Sequence, residues 1–230
     1  MAKMTQAQGG STKNWHVYLL LWAALVFATA THAGQKEDQL VQAATDGDVT
    51  TVKSLVRKGV NWNDREGPFG KTILHRIIED LNARRRLGGL TDTALDQLQA
   101  RQMEALRLAI ATGAKLELRD SSGATPLIDA AGSGGNATQS PTEIAAVKLL
   151  VEAGARVNAV DGNKCTALHM AAMRGYIESV KLLLDHGADP ALKNVYGETP
   201  ANMAQPGDGR PPLDPRRRAE ILQLLTKGRN

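Results

Sequence analysis

The chain is poor in the residues that anchor chemistry. Cys165 is the single cysteine in 230 residues, which excludes an internal disulfide framework and a cysteine-rich metal site. Five histidines are scattered, and none sits in an HExxH or other ligand spacing. No glycine-rich phosphate loop follows a strand, no G-x-S-x-G occurs, and no paired carboxylates have a reason to converge. No catalytic set, cofactor or metal is implied. Aromatics make up only 3%, which argues against a sandwich or barrel, whose strands favour aromatic and β-branched side chains. An Ala- and Leu-rich chain suits packed helices instead. Charge is nearly balanced: 28 Lys and Arg against 24 Asp and Glu give +4, no electrostatic footprint for nucleic acid.

Long hydrophobic runs are also missing, with one partial exception. Val17–Ala30 is a 14-residue stretch with no charge. As a helix it reaches roughly 21 Å, short of the ~30 Å hydrocarbon core. Lys3 and Lys13 precede it without any acid, and small residues follow at Ala28-Thr29-Ala30 and Thr31-His32-Ala33. That layout reads as a secretory signal peptide over 1–33, cleaved after Ala33 or, alternatively, after Ala30. An uncleaved signal-anchor that tethers the chain to a membrane is the other reading. No cysteine follows the apolar run, so acylation there is excluded. The expectation is an exported protein, in a bacterial periplasm, with an inner-membrane-anchored or a secreted form as alternatives. Loss of 1–33 removes two lysines and no acid, leaving +2.

What the remainder has is a repeat. Five Leu-rich segments end in a glycine: VKSLVRKG, LRLAIATG, VKLLVEAG, VKLLLDHG and ILQLLTKG. The glycines are Gly59, Gly113, Gly154, Gly187 and Gly228, in steps of 54, 41, 33 and 41. A second marker, GKTILH, GATPLI, KCTALH and GETPAN, places threonines at 72, 125, 166 and 199. Each lies 12 or 13 residues after a marker glycine, so the length variation falls elsewhere in the unit. The base period is 33 residues.

Each unit reads physically. Thr-Pro opens a helix, the threonine capping free N–H groups and the proline fitting the first turn. Ala171-Ala172 permits close packing, Gly175 ends the first helix, and Ile177, Val180 and Leu182–Leu184 form the apolar stripe of the second. Gly187 supplies the left-handed terminus. No unit can bury its apolar face alone, so stability comes from stacking.

The segment Asp161–Asp189 (DGNKCTALHMAAMRGYIESVKLLLDHGAD) resembles the ankyrin repeat family almost position by position. Asp120–Leu127 (DSSGATPL) and Asn194–Pro200 (NVYGETP) carry the same turn-and-helix-start signature. The resemblance extends over 34–230. It implies an all-α repeat solenoid, helix-turn-helix units with β-turn fingers, in about five repeats: 34–66, 67–119, 120–160, 161–193 and 194–230. Three repeats carry insertions. At 80–99, Leu81 to Arg86 extend a first helix, Gly88-Gly89 breaks it and Thr91 caps a long second helix, which predicts a protruding hairpin. Residues 132–141 read as a Gly/Ser/Asn loop and 206–215 as a Pro-rich one. Terminal units present Lys53, Arg57, Glu220 and Gln223 to water. The third repeat lacks the glycine-plus-aromatic turn between its helices, which predicts irregular curvature.

By this resemblance His75 and His169, both in T-x-L-H, are structural and tie neighbouring repeats. Ile128 and Asn202 fill the same place elsewhere, which also argues against catalysis. The resemblance further implies a protein partner gripped by the fingers and the inner face of the first helices. The candidates are Arg65, Phe69, Lys71, Ser121, Ser122, Ala124, Asn163, Cys165, Tyr196 and Glu198 on the fingers, and Glu79, Asp80, Ser133, Met173 and Arg174 on the helices. Phe69, Tyr196, Met173 and Arg174 are the expected anchors, since such side chains are enriched at interface cores. In the alternative, Phe69 and Tyr196 only cover neighbouring fingers, or the 80–99 hairpin is itself the binding element. Cys165 is expected to be at least partly exposed, able to pair with a partner thiol. Arg84–Arg86 and Arg216–Arg218 read as solvated helix faces, with docking onto acidic lipid or protein as the alternative. Asn136-Ala137-Thr138 matches a glycosylation acceptor. The function expected is an exported adaptor or scaffold without catalysis; the alternatives are an inhibitor or immunity protein that occludes an exported enzyme, and a hydrolase or redox enzyme using Cys165.

Overall fold

A computed structural model describes residues 38–65, 69–87, 92–132, 139–206 and 213–227, the side chains of 82–87 and 92 excepted. The signal segment, the Gly88–Thr91 link, Ser133 and the glycosylation motif lie outside the described residues. Within them the chain is helical. Helix α1 covers 38–45, followed by α2 (Val49–Arg57), α3 (Ile73–Leu87), α4 (Asp92–Ala111), α5 (Pro126–Gly132), α6 (Pro141–Glu152), α7 (Ala167–Arg174), α8 (Ile177–Asp185), α9 (Pro200–Met203) and α10 (Pro215–Lys227). No strand longer than a single bridge residue, Lys71, occurs among the described residues.

Helices pack as two parallel rows. First helices follow one another, α3 on α5, α5 on α7 and α7 on α9. Second helices do the same, α2 on α4, α4 on α6, α6 on α8 and α8 on α10. The apolar positions between the rows form the core. One cluster joins Leu40, Val52, Ile73, Ile77 and Leu106, and a second joins Leu127, Leu150, Leu168, Leu183 and Ile221. Ile110 and Leu116 pack against both.

The four marker threonines sit in one place along the stack, just ahead of a first helix. Thr125, Thr166 and Thr199 each accept a hydrogen bond from the backbone N–H three residues on. In the second and fourth units a histidine completes the joint. His75 Nδ1 accepts the Thr72 N–H and His169 Nδ1 the Thr166 N–H, both at 3.2 Å. Each ring's opposite nitrogen, Nε2, then carries the proton and donates to the next repeat's backbone, His75 to Ala124 O and His169 to Glu198 O, both 3.1 Å. Both rings are buried, and desolvation holds their pKa below the ordinary value, so they are neutral braces.

A second set of joints runs along the loops that leave the second helices. Asn63 Oδ1 accepts from Lys115 N (2.7 Å), Glu117 Oε1 from Arg156 N (2.8 Å) and Asn158 Oδ1 from Asp189 N (2.9 Å). One side chain per unit thus pins the backbone of the next.

In the 80–99 region α3 and α4 run 15 and 20 residues, longer than the other helices. Their contact is partly polar. Buried Gln102 donates from Nε2 to both Thr45 O (2.5 Å) and Asp80 Oδ2 (2.6 Å). Buried Gln99 accepts from Thr142 Oγ1 at 3.1 Å, which links α4 to the start of α6. Lys53, Arg57, Glu220 and Gln223 are exposed on the outermost units.

Candidate functional site

The fingers are built by one local device used three times. Asp120 Oδ1 accepts from Ser122 N and Ala124 N, Asp161 Oδ1 from Asn163 N and Cys165 N, and Asn194 Oδ1 from Tyr196 N and Glu198 N. Each closes a tight turn that needs one left-handed residue. Gly70, Gly123 and Gly197 provide it in three fingers, and Lys164 takes the same place with φ +59°. Neighbouring fingers are stitched backbone to backbone: Ser121 N to Phe69 O (2.8 Å), Gly162 N to Ser122 O (2.9 Å) and Val195 N to Asn163 O (2.9 Å). The approach is close enough that a Cβ on Gly123 would lie 2.7 Å from Gly162 N. The result is a fixed row in which Phe69, Ser122, Asn163 and Tyr196 hold equivalent tips, each three residues before its threonine.

That row presents apolar surface at its two ends. Phe69 is 64% exposed, Val195 50% and Tyr196 77%, the exposed large hydrophobics among the described residues. Neither Phe69 nor Tyr196 is tucked onto a neighbouring finger. Ser121, Ser122 and Asn163 are exposed between them, and Arg65 is exposed ahead of Phe69. Val195 was not among the sequence candidates; its register, one residue after the turn-closing Asn194, matches Ser121 and Gly162 and marks it as a tip.

Four candidates point elsewhere. Cys165 was expected at least partly exposed, and it is buried, with 6% of its surface accessible. The reason is its place one residue before the helix-capping Thr166, where the chain turns beneath the finger. Its N–H and C=O are both held by Asp161, at 2.7 and 2.9 Å, and Asn194 of the next finger lies over the sulfur with Nδ2 at 3.8 Å. Ala124, in the same register, is buried likewise. Asp80 is half-buried, and its carboxylate is directed to Gln102 on α4. Glu198 is half-buried, with its backbone carbonyl taken by His169 and its carboxylate by Asn194. Met173 and Arg174 are half-buried on α7. Among the described residues no group of three or more His, Cys, Asp or Glu could hold a metal ion, and no helix is long and apolar enough to cross a membrane.

On the inner face, ion pairs gather at the second and third units. The Lys71 ammonium pairs with Glu79 and lies 3.9 Å from Asp129 Oδ2. Arg76 approaches Glu79 from the other side at 3.5 Å. Every residue of α5 except Asp129 is buried. Burial, with Asp120 and Glu79 nearby, outweighs Lys71 and pushes the Asp129 carboxyl up to about 6. Asp129 was also missed in the sequence. Its signal is a lone acid in an otherwise apolar first helix, PLIDAAG.

Residues 135–209 match the family model for ankyrin repeats in three copies. The chain is 36% identical over 156 residues to human Ankyrin repeat and SOCS box protein 16, covering 67% of this chain and 32% of that protein. It is 40% identical over 104 residues to a probable E3 ubiquitin-protein ligase of Oryza sativa subsp. japonica, 44% of this chain and 19% of the ligase. It is 36% identical over 103 residues to the mouse B-cell lymphoma 3 protein homolog, 44% of this chain and 21% of that one. The chain thus spans a third or less of these curated relatives, all of them eukaryotic. Together with the paired helices and stitched fingers, the matches are those of a helical solenoid fold built from ankyrin repeats.

Proposed function

We propose that this chain is a non-catalytic adaptor or scaffold, exported by the segment at 1–33, that grips one protein partner with its finger row. One observation carries the reading. A row locked by backbone hydrogen bonds holds Phe69 at one end and Val195–Tyr196 at the other, all strongly exposed. Apolar side chains fixed in advance lose little conformational entropy on docking, so their burial goes largely into affinity. The polar tips between them, Ser121, Ser122 and Asn163, suit an interface rim. Export is supported by the n-region lysines, the short apolar run and the small residues before Gly34.

The test is affinity capture from the envelope or secreted fraction of the source cells, followed by identification of the bound species. Phe69→Ala with Tyr196→Ala is expected to abolish capture of a species that the parent chain retains, while the circular dichroism spectrum is unchanged. Undiminished capture would move the site off the fingers. N-terminal sequencing of the chain from that fraction is expected to begin at Gly34. An intact Met1 in the cytosol would remove the export half of the reading.

A further inference from the structure

The geometry points to a subsite for a basic side chain of the partner, arginine or lysine, at the ion cluster of Lys71, Glu79 and Asp129 between α3 and α5. It rests on the reading that this face meets a protein, and it names the chemistry of one contact. The repeats themselves act as internal controls. In the register of Asp129 the later first helices carry Met170 and Met203. In the register of Glu79 they carry Gly132 and Met173, and in that of Lys71 the other units carry Ala124, Cys165 and Glu198, with no second cation. Stacking therefore requires none of the three charges. Lys71 is drawn to Glu79, which leaves Asp129 Oδ2 buried and without a hydrogen-bond donor. A buried carboxylate oxygen without a donor is unfavourable until one arrives, and a cationic donor gives the strongest bond.

Among the described residues the other elements around Asp129 do not supply one. Asp120 from its own finger is acidic, α7 offers Met170 in the matching register, and the α6 carboxylate of Glu143 is folded back onto Ser140 N at 2.6 Å. Lys71 beside the site disfavours a bare divalent ion and leaves a monovalent cation with directed N–H groups as the better fit. Binding requires ionised Asp129, so affinity falls as acid protonates it.

The experiment uses the full chain and Nα-acetyl-arginine methylamide as probe, with the neutral citrulline analogue as control. The Asp129 carboxyl 13C resonance, assigned by its absence in Asp129→Asn, is followed by NMR. The arginine probe is expected to shift it and the citrulline analogue not to. Affinity should be roughly tenfold weaker at pH 5 than at pH 7.5, as linkage to one carboxyl titrating near 6 requires. Asp129→Met, which installs the side chain that other units use, should fold and lose the arginine-induced shifts of the backbone amides of α3 and α5 that the parent chain shows beside the carboxyl signal. Equal shifts by both probes, no pH dependence, an unaffected Asp129→Met, or competition by millimolar calcium at comparable potency would each overturn the inference. The finger reading fails separately: capture that survives loss of Phe69 and Tyr196 sinks that reading while leaving this subsite intact.

Discussion

Lys164 holds a backbone conformation that three other fingers assign to glycine, with φ +59° against +57°, +80° and +74° at Gly70, Gly123 and Gly197. A side chain in the left-handed region costs about 1 kcal/mol, part of which glycine returns as unfolded-state entropy. Lys164→Gly is therefore expected to stabilise the chain by about 0.5 kcal/mol, read from the urea midpoint. Asp129 stores a larger penalty. Its folded pKa, about 6, lies above the unfolded 3.8, so the native state binds the extra proton between those values. Its contribution is favourable below pH 3.8 and is lost as pH rises through 6. Asp129→Asn should thus raise stability by about 1–3 kcal/mol at pH 7.5 and change it little near pH 3.5. His75 and His169 work in the opposite direction. Their folded pKa values lie below 6.5, so the unfolded chain takes up protons first, and their contribution, intact above 6.5, is lost as pH falls below it. A stability profile of Asp129→Asn that showed no decline between pH 7 and 5 would contradict the buried neutral rings. A stabilising Asp129 substitution has the character of a functional residue, since a position kept for folding alone would favour the methionine of its neighbours.

At the scale of the element, α6 shows what its first residues contribute. Ser140 accepts from Glu143 N at 3.2 Å, and the Glu143 carboxylate returns to Ser140 N, a closed capping box with Pro141 in the first turn. Ser140→Ala should cost about 1 kcal/mol by chemical denaturation, and more if the freed, buried Glu143 is left without its partner. The Thr-Pro helix starts and the Gly175 terminus were legible because each depends on residues within one turn; the Ser140 cap lies at the edge of the stretch read as the 132–141 loop and was not read. Elements that depend on a distant partner were not. A four-residue α9 cannot be read from Thr199-Pro200, which announces a start and not an end. The burial of Cys165 depends on Asn194, 29 residues on, lying over it. Gln99 and Gln102 look like the polar face of a surface helix, yet they are buried because the lengthened α3 and α4 bring Asp80, Leu81 and Thr142 alongside. Trp62 is buried too, its indole N–H donating to Thr112 Oγ1 at 2.8 Å across 50 residues. For the site, the polar tips and the two aromatic ends followed from the family resemblance carried over in the register of the repeat. The Lys71–Asp129 approach crosses two units and could not be seen without stacking them.

The whole molecule inherits its mechanics from stacking. Each unit touches only its neighbours, so disturbance should spread by proximity along the row and not through one shared core. The two apolar clusters make this testable, since Leu40 lies in the first and Leu168 in the second, both fully buried. Removing either side chain beyond Cβ should cost about 2–5 kcal/mol locally. The consequences differ because α7, which carries Leu168, packs on both α5 and α9, whereas Leu40 lies in the first described helix. Leu40→Ala is therefore expected to accelerate amide exchange over 38–57 while α7 and α8 keep their protection. Leu168→Ala should accelerate exchange from α5 through α10, uncoupling the finger row between Ser122 and Tyr196, so it should also weaken partner capture with Phe69 and Tyr196 still in place. Hydrogen exchange read by mass spectrometry separates the outcomes. Uniform acceleration by both substitutions would mean that the chain opens as one cooperative unit, and the finger row would then owe its rigidity to the entire stack instead of to its nearest units.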